Sequence, residues 1–177
     1  MIIQKTGKGD KDFDGIRWAI SARSKDDRRE NIKCIKADCG VVVATDGHRL
    51  HLYTPNREIK DGCYEVVTDT AKTIVLEPSD ETFPDYERVF PSNTHNGIEP
   101  IDTPDDAGQR NNIILNRVLK HSDLCYNTKY LSEACPCGES LSFQQFGDLD
   151  FGGLVARNSD YSKASIIMGM KIRGEGF

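Results

Sequence analysis

The stretch Val41–Tyr53, VVVATDGHRLHLY, constrains the fold of this chain more than any other. A β-branched apolar run, a polar turn and a second, alternating run form the pattern of a β-hairpin. Asp46-Gly47 is the strongest short turn signal that could join them. A hairpin tip needs only Asp-Gly. Thr45 directly before it, and His48 and Arg49 directly after it, are the residue types a surface site uses. An ordinary solvated turn is the plainer reading of the same residues.

The rest of the chain is arranged around this hairpin. Met1–Lys5 reads as a short strand. Asp10 or Asp12 can cap a helix starting near Phe13, because Phe13, Ile16 and Ile20 recur at helical spacing with Ala19 beside them. Trp18 falls off that stripe, near Lys11, Ala22 and Lys25. Either it packs under a neighbouring loop or subunit, or it marks a positively charged contact face. A mixed-charge connector, Ser24–Asn31, leads to a half-exposed strand over Ile32–Ala37. The hairpin strands Val41–Ala44 and Arg49–Tyr53 come next. Gly62–Thr68 and Thr73–Leu76 read as two strands, or as one strand interrupted.

Character then changes. Pro78 and the connector 79–112 hold five of the seven prolines. Within it, Phe83–Pro91 carries three aromatics and a valine, so this piece should dock on something, whereas 92–112 reads as a loop. Beyond it the order repeats. Ile113–Leu119 and Leu124–Tyr126 are short apolar segments, and Asn127 or Thr128 can cap a helix over Lys129–Ala134 that Pro136 ends. Ser140–Phe146, Gly153–Arg157 and Ala164–Ile172 are strand-like. Phe143 and Phe146 differ in strand parity, which suggests a bulge. The expected architecture is one α+β domain over 1–177 with two strand–helix–multi-strand repeats, 1–78 and 113–177. Its sheets would be antiparallel, with helices on one face.

Composition excludes several classes. A chain of 177 residues with 37% hydrophobic content can build its own core. Its formal net charge of −5 argues against blanket nucleic-acid affinity but allows a local basic face. No apolar window reaches membrane-spanning length, and the start MIIQKTGKGDKD lacks a signal-peptide core, so a cytoplasmic location is expected. The six cysteines then read as reduced thiols. Cys135-Pro-Cys137 lacks the spacing and the second pair of a zinc site, so no metal is expected.

The segments Ala44–Leu50 (ATDGHRL), Phe83–Val89 (FPDYERV) and Ile166–Ile172 (IIMGMKI), in that order, resemble the bacterial sliding clamp, the β subunit of DNA polymerase III. Ala19–Arg29 and Tyr126–Leu131 support the match. The form is shortened and single-domain, of a phage-like kind. Its first half resembles the start of the family's middle domain and its second half the end of the last domain. The resemblance implies a DNA-clamp-like fold of two repeats per domain, with helices lining a ring and sheets outside.

It also implies a function in DNA replication that is not enzymatic and uses no cofactor. A hydrophobic cleft would capture short linear peptides of replication or repair proteins. That cleft would use Thr45, Gly47, His48, Arg49 and Leu50, with Ile32 where the family has a leucine. Pro84 and Val89 would join from the connector, and Ile166, Ile167, Met168 and Met170 from the last strand. Gly169 stands where the family carries a proline. Aliphatic and methionine side chains make an adaptable slot, and turn groups fix a peptide's register. Without the resemblance, the methionines read as plain core strand.

Contacts to double-stranded DNA would come from Arg17, Arg23, Lys25, Arg28 and Arg29 around the first helix and from Lys129 on the second. Such contacts need only phosphate-directed charge. One domain cannot surround a duplex, so encirclement would require a homo-oligomer. The alternative is a regulator or decoy that binds replication proteins without encircling DNA. An enzyme has thin support, since no histidine has a nucleophile or paired carboxylate at a recognised spacing.

Overall fold

Asp10 starts the first helix, as its short acidic side chain predicts. Its carboxylate accepts the Phe13 N–H at 3.0 Å, and α1 runs Lys11–Ile20. The computed structural model describes residues 1–90, 95–102, 109, 112–113, 124–134, 140–147 and 152–170. Contacts divide the chain into two compact units, Met1–Glu87 and Arg88–Phe177.

The first unit holds six strands: β1 (Ile2–Gln4), β2 (Ile35–Asp38), β3 (Val41–Thr45), β4 (Arg49–Tyr53), β5 (Gly62–Asp69) and β6 (Thr73–Ser79). They pair antiparallel in the order β1-β6-β5-β2-β3-β4. Strand alternation decides the two faces. Ile35, Ala37, Val42, Ala44 and Tyr53 meet Phe13, Ile16, Ala19 and Ile20 of α1 in one buried cluster. Lys36, Asp38 and Val43 alternate with these residues and so take the outer face. Each fully buried aliphatic here stabilises the fold by roughly 1.5–3 kcal/mol.

One expectation for this unit is corrected, and one open choice is decided. Ile32 does not begin a strand. It lies in a single helical turn, α2 (Glu30–Lys33), because the Arg29 carbonyl accepts the N–H groups of both Ile32 and Lys33 at 3.1 Å. The strand starts only at Ile35. Gly62–Thr68 and Thr73–Leu76 are two strands of a hairpin, closed where Thr70 N–H meets the Thr73 carbonyl at 2.9 Å.

The docking expected of Phe83–Pro91 is seen in its first part. Phe83 and Tyr86 are buried, and Tyr86–Val89 forms a 3₁₀ turn. The loop expected over 92–112 contains a strand instead, β7 (His95–Asp102). It pairs with β8 (Ser140–Gly147) through two register shifts, so backbone pairing there overrides the loop-like composition.

In the second unit β9 (Gly152–Asn158) and β10 (Lys163–Met168) complete the antiparallel order β10-β9-β8-β7. Asn127 caps α3 (Thr128–Ala134), its side-chain oxygen accepting the Lys129 N–H at 3.0 Å. Leu131 and Ala134 of α3 pack with Leu124, Tyr126, Leu141, Phe143, Leu154, Ala156 and Ile167. Asn112 and Ile113 are helical, where the repeat reading opens with a strand. Cys135-Pro-Cys137 and residues 114–123 lie outside the described residues.

The bulge expected in β8 is absent, since its register with β9 is unbroken from Leu141 to Gly147. Phe143 and Phe146 simply occupy opposite faces, and both are buried. Gly153 makes room for Phe146: a Cβ there would lie 2.8 Å from the ring.

Candidate functional site

The turn between β3 and β4 has three residues, Asp46-Gly47-His48, with Gly47 at φ +89°. This is the left-handed conformation that glycine adopts at no steric cost. Side chains knit the turn from within. Thr45 Oγ1 donates to the Arg49 carbonyl at 2.6 Å and accepts the Gly47 N–H at 3.0 Å. Asp46 Oδ1 accepts the N–H groups of His48 and Arg49 at 2.9 and 3.1 Å.

Three braces hold the turn from outside. The Arg49 guanidinium reaches Asp46 Oδ2 at 3.2 Å and the Ser21 carbonyl at 2.9 Å, and Arg49 is only 7% exposed. Arg29 Nη1 donates to the Asp46 carbonyl at 3.2 Å. The Ser24 N–H is shared between the carbonyls of Ile32 and Thr45, at 2.9 and 3.1 Å. A single amide therefore joins two residues that are 13 positions apart in sequence.

Ile32, Thr45, Gly47 and Arg49 are thus assembled in the first unit. Leu50 is buried and pairs with Thr45 in the strand register. The His48 side chain is exposed at the tip. Pro84 is exposed. The bracing roles of Ser21, Ser24 and Arg29 carried no signal in sequence, because each acts through a backbone group distant in the chain.

In the second unit Val89 is half-buried at the end of the 3₁₀ turn. Ile166 and Ile167 are both buried on opposite faces of β10, Ile167 in the core beneath α3. Met168 is half-buried and ends the strand, short of the Ile172 expected. Met170 is exposed and forms a separate backbone bridge with Cys125.

Gly169 follows the end of β10 and is closely packed. A Cβ there would lie 2.6 Å from Leu124 Cδ1, and the Gly169 N–H donates to the Gly152 carbonyl at 2.9 Å. Proline would lose that bond and displace Leu124. Gly169→Pro is expected to lower stability by about 3 kcal/mol, measured as a shift in urea unfolding midpoint.

The candidate DNA-contact residues are mostly engaged with the protein. Arg17 Nε donates to Asp69 Oδ1 at 2.9 Å, and Arg23 lies 3.7 Å from the same carboxylate. Arg28 grips Asp26 through two bonds of 3.0 Å. Lys129 is 3.9 Å from Glu133. Lys25 is exposed and forms no ion pair among the described residues.

Trp18 is half-buried and packs against the first unit's core. Its ring stacks on His51 with centroids 4.2 Å apart and planes within 10°. The two rings seal α1 against β4.

No family description matches the sequence, and no curated protein does. Solved structures do. The chain is similar to the DNA polymerase III subunit beta of Borrelia burgdorferi, solved in complex with a natural product, at 13% identity and TM-score 0.62. It is similar to the DNA polymerase III beta chain of Streptococcus pneumoniae at 14% and 0.63, and to the DNA polymerase sliding clamp of Bacillus subtilis at 12% and 0.61. Each comparison covers 97% of this chain. The fold is that of a bacterial sliding clamp. This clamp-fold chain spans 64% of the length of those three structures. The α+β class with antiparallel sheets agrees with the fold expected from sequence. No helix among the described residues is long and apolar enough to cross a membrane.

Proposed function

We propose that this chain is a non-catalytic, clamp-like accessory factor that binds short linear peptides of replication or repair proteins. The observation that carries this reading is the sliding-clamp fold across 97% of the chain. The internally bonded Thr45–Leu50 turn supports it, since a rigid turn presents His48 and its neighbours without further ordering cost. In the first unit the proposed contacts are Ile32, Thr45, Gly47, His48, Leu50 and Pro84. In the second they are Val89, Ile166, Met168 and Met170; Ile167 is set aside, because it is fully buried in the core beneath α3. Arg49 contributes by holding the turn, as its bonds to Asp46 and Ser21 suggest.

The test is a fluorescence anisotropy titration with a labelled Gln-x-x-aliphatic-aromatic peptide. Binding in the micromolar range is expected. Met168→Ala should weaken it about tenfold through lost apolar contact. No binding at high micromolar peptide would sink the proposal.

A second reading is a regulator that engages such partners without holding DNA. The ion pairs of Arg17, Arg23 and Arg28 favour it, because a guanidinium bound to a carboxylate offers less attraction to phosphate. The mass in solution and duplex binding at low salt separate the two readings. A ring-forming oligomer that binds DNA supports the clamp. A monomer indifferent to DNA supports the regulator.

A further inference from the structure

We propose that Tyr86 is a positioning residue: with Lys36 and Asp38 of β2 it forms a clasp that holds the segment Phe83–Glu87 on the outer face of the first unit's sheet. The consequence for binding rests on the peptide reading above, but the clasp itself does not.

The geometry is a closed triangle. Lys36 Nζ lies 5.3 Å from the centroid of the Tyr86 ring and 2.8 Å from Asp38 Oδ2. The Tyr86 hydroxyl donates to that same oxygen at 3.4 Å. One carboxylate oxygen thus receives both the ammonium and the phenol, while the ammonium also faces the ring. Lys36 and Asp38 can do this because strand alternation turns them away from α1, whose side of β2 is taken by Ile35 and Ala37.

Pro84, Asp85, Glu87 and Arg88 are exposed, whereas Phe83 and Tyr86 are buried. The hydroxyl stays a donor at neutral pH, since burial pushes the Tyr86 phenol up. Lys36 holds the Asp38 carboxyl below its usual range, so it stays an acceptor. The clasp therefore fixes where Pro84, one of the proposed peptide contacts, is presented. The composition of Phe83–Pro91 shows that it should dock, but not that a lysine and an aspartate two residues apart on β2 receive it.

Limited trypsin digestion of the full chain reads the clasp directly, because cleavage after Arg88 requires this segment to open. Cleavage after Lys129 on α3 is the internal control. Lys36→Met should accelerate the Arg88 cut about fivefold, by loss of the cation–ring contact. Tyr86→Phe should do so by a similar or smaller factor, and Tyr86→Ala by more than tenfold. The Lys129 cut should not change. An Arg88 rate in both Lys36→Met and Tyr86→Phe equal to that of the wild type overturns the clasp. So does equal acceleration at both sites, which would be general loosening.

The peptide titration is then repeated. Tyr86→Ala should weaken binding at least fivefold and Tyr86→Phe should restore most of it. Wild-type affinity in Tyr86→Ala overturns the positioning role. A wild-type chain that binds no peptide removes the proposed function and leaves the clasp to the trypsin result.

Discussion

Lowering the pH from 6.5 towards 4 will destabilise this protein by about 1.4 kcal/mol per pH unit, and His51→Phe will remove that dependence. His51 is fully buried. Its Nδ1 lies 3.1 Å from the Trp18 carbonyl. A carbonyl only accepts, so Nδ1 carries the proton and Nε2 holds a bare lone pair. Nε2 has no hydrogen-bond partner among the described residues. A second proton would therefore create a buried charge with nothing to receive it. Burial, opposed by the Trp18 carbonyl and aided by the Arg49 guanidinium, brings the imidazole down to about 3 from 6.5.

The sign follows from proton binding. Between pH 6.5 and 3 the unfolded chain takes up a proton that the folded chain refuses. Stability is complete above 6.5 and falls as pH drops, by roughly 5 kcal/mol in all. The acidic groups act lower. The N–H groups of Thr6 and Phe13 hold the Asp10 carboxyl far below its usual value. Burial raises that of Asp12, but the Asn56 N–H, the Tyr53 hydroxyl and Arg57 outweigh it. Their contribution is present above pH 3.8 and is lost only as pH falls below that. Urea unfolding at a series of pH values, read by Trp18 fluorescence and by circular dichroism, checks the prediction. An unchanged slope between pH 6 and 4 in His51→Phe would refute it.

Gly15→Ala will destabilise the fold by about 3 kcal/mol, although alanine is the better helix former by about 1 kcal/mol. Gly15 lies in the middle of α1, and a Cβ there would clash with the Tyr53 ring around Cζ. The ring cannot give way easily. Its hydroxyl is anchored to Asp12 Oδ1 at 3.0 Å and to the Lys11 carbonyl at 3.2 Å. The same Asp12 carboxylate accepts the N–H groups of Asn56 and Arg57 at 2.9 and 3.0 Å. Displacing Tyr53 therefore strains a network that ties α1 to the segment after β4. In a Tyr53→Ala background the sign should reverse, with Gly15→Ala stabilising by about 1 kcal/mol. Additive effects in that double-mutant cycle would show that the close approach does not matter.

Local signals were the legible ones. Asp10 as a cap, the Phe13–Ile20 stripe and the hairpin around Asp46-Gly47 each depend on residues within one or two turns of chain, and each formed where expected. Ile32 failed because alternation over 32–37 mimics a strand, while the Arg29 carbonyl and the Ser24 amide decide for a helical turn. The loop reading of 92–112 failed over 95–102 because Pro100 and the polar residues mask a ladder whose partner, β8, lies some 40 residues away.

The candidate site divides in the same way. The residues ATDGHRL, FPDYERV and IIMGMKI were enough to single out the clamp fold, because each motif is contiguous. What only the tertiary structure decided is how those residues are used. Arg49 turned inward to brace its own turn, Ile166 and Ile167 split between two faces of one strand, and Trp18 met His51. Gly15 and Gly169 left room for Tyr53 and Leu124. Each outcome is set by a close approach or a hydrogen bond between groups distant in the chain. Residue type and spacing determine which face a side chain can take, but the partner across the gap determines whether it binds, braces or fills.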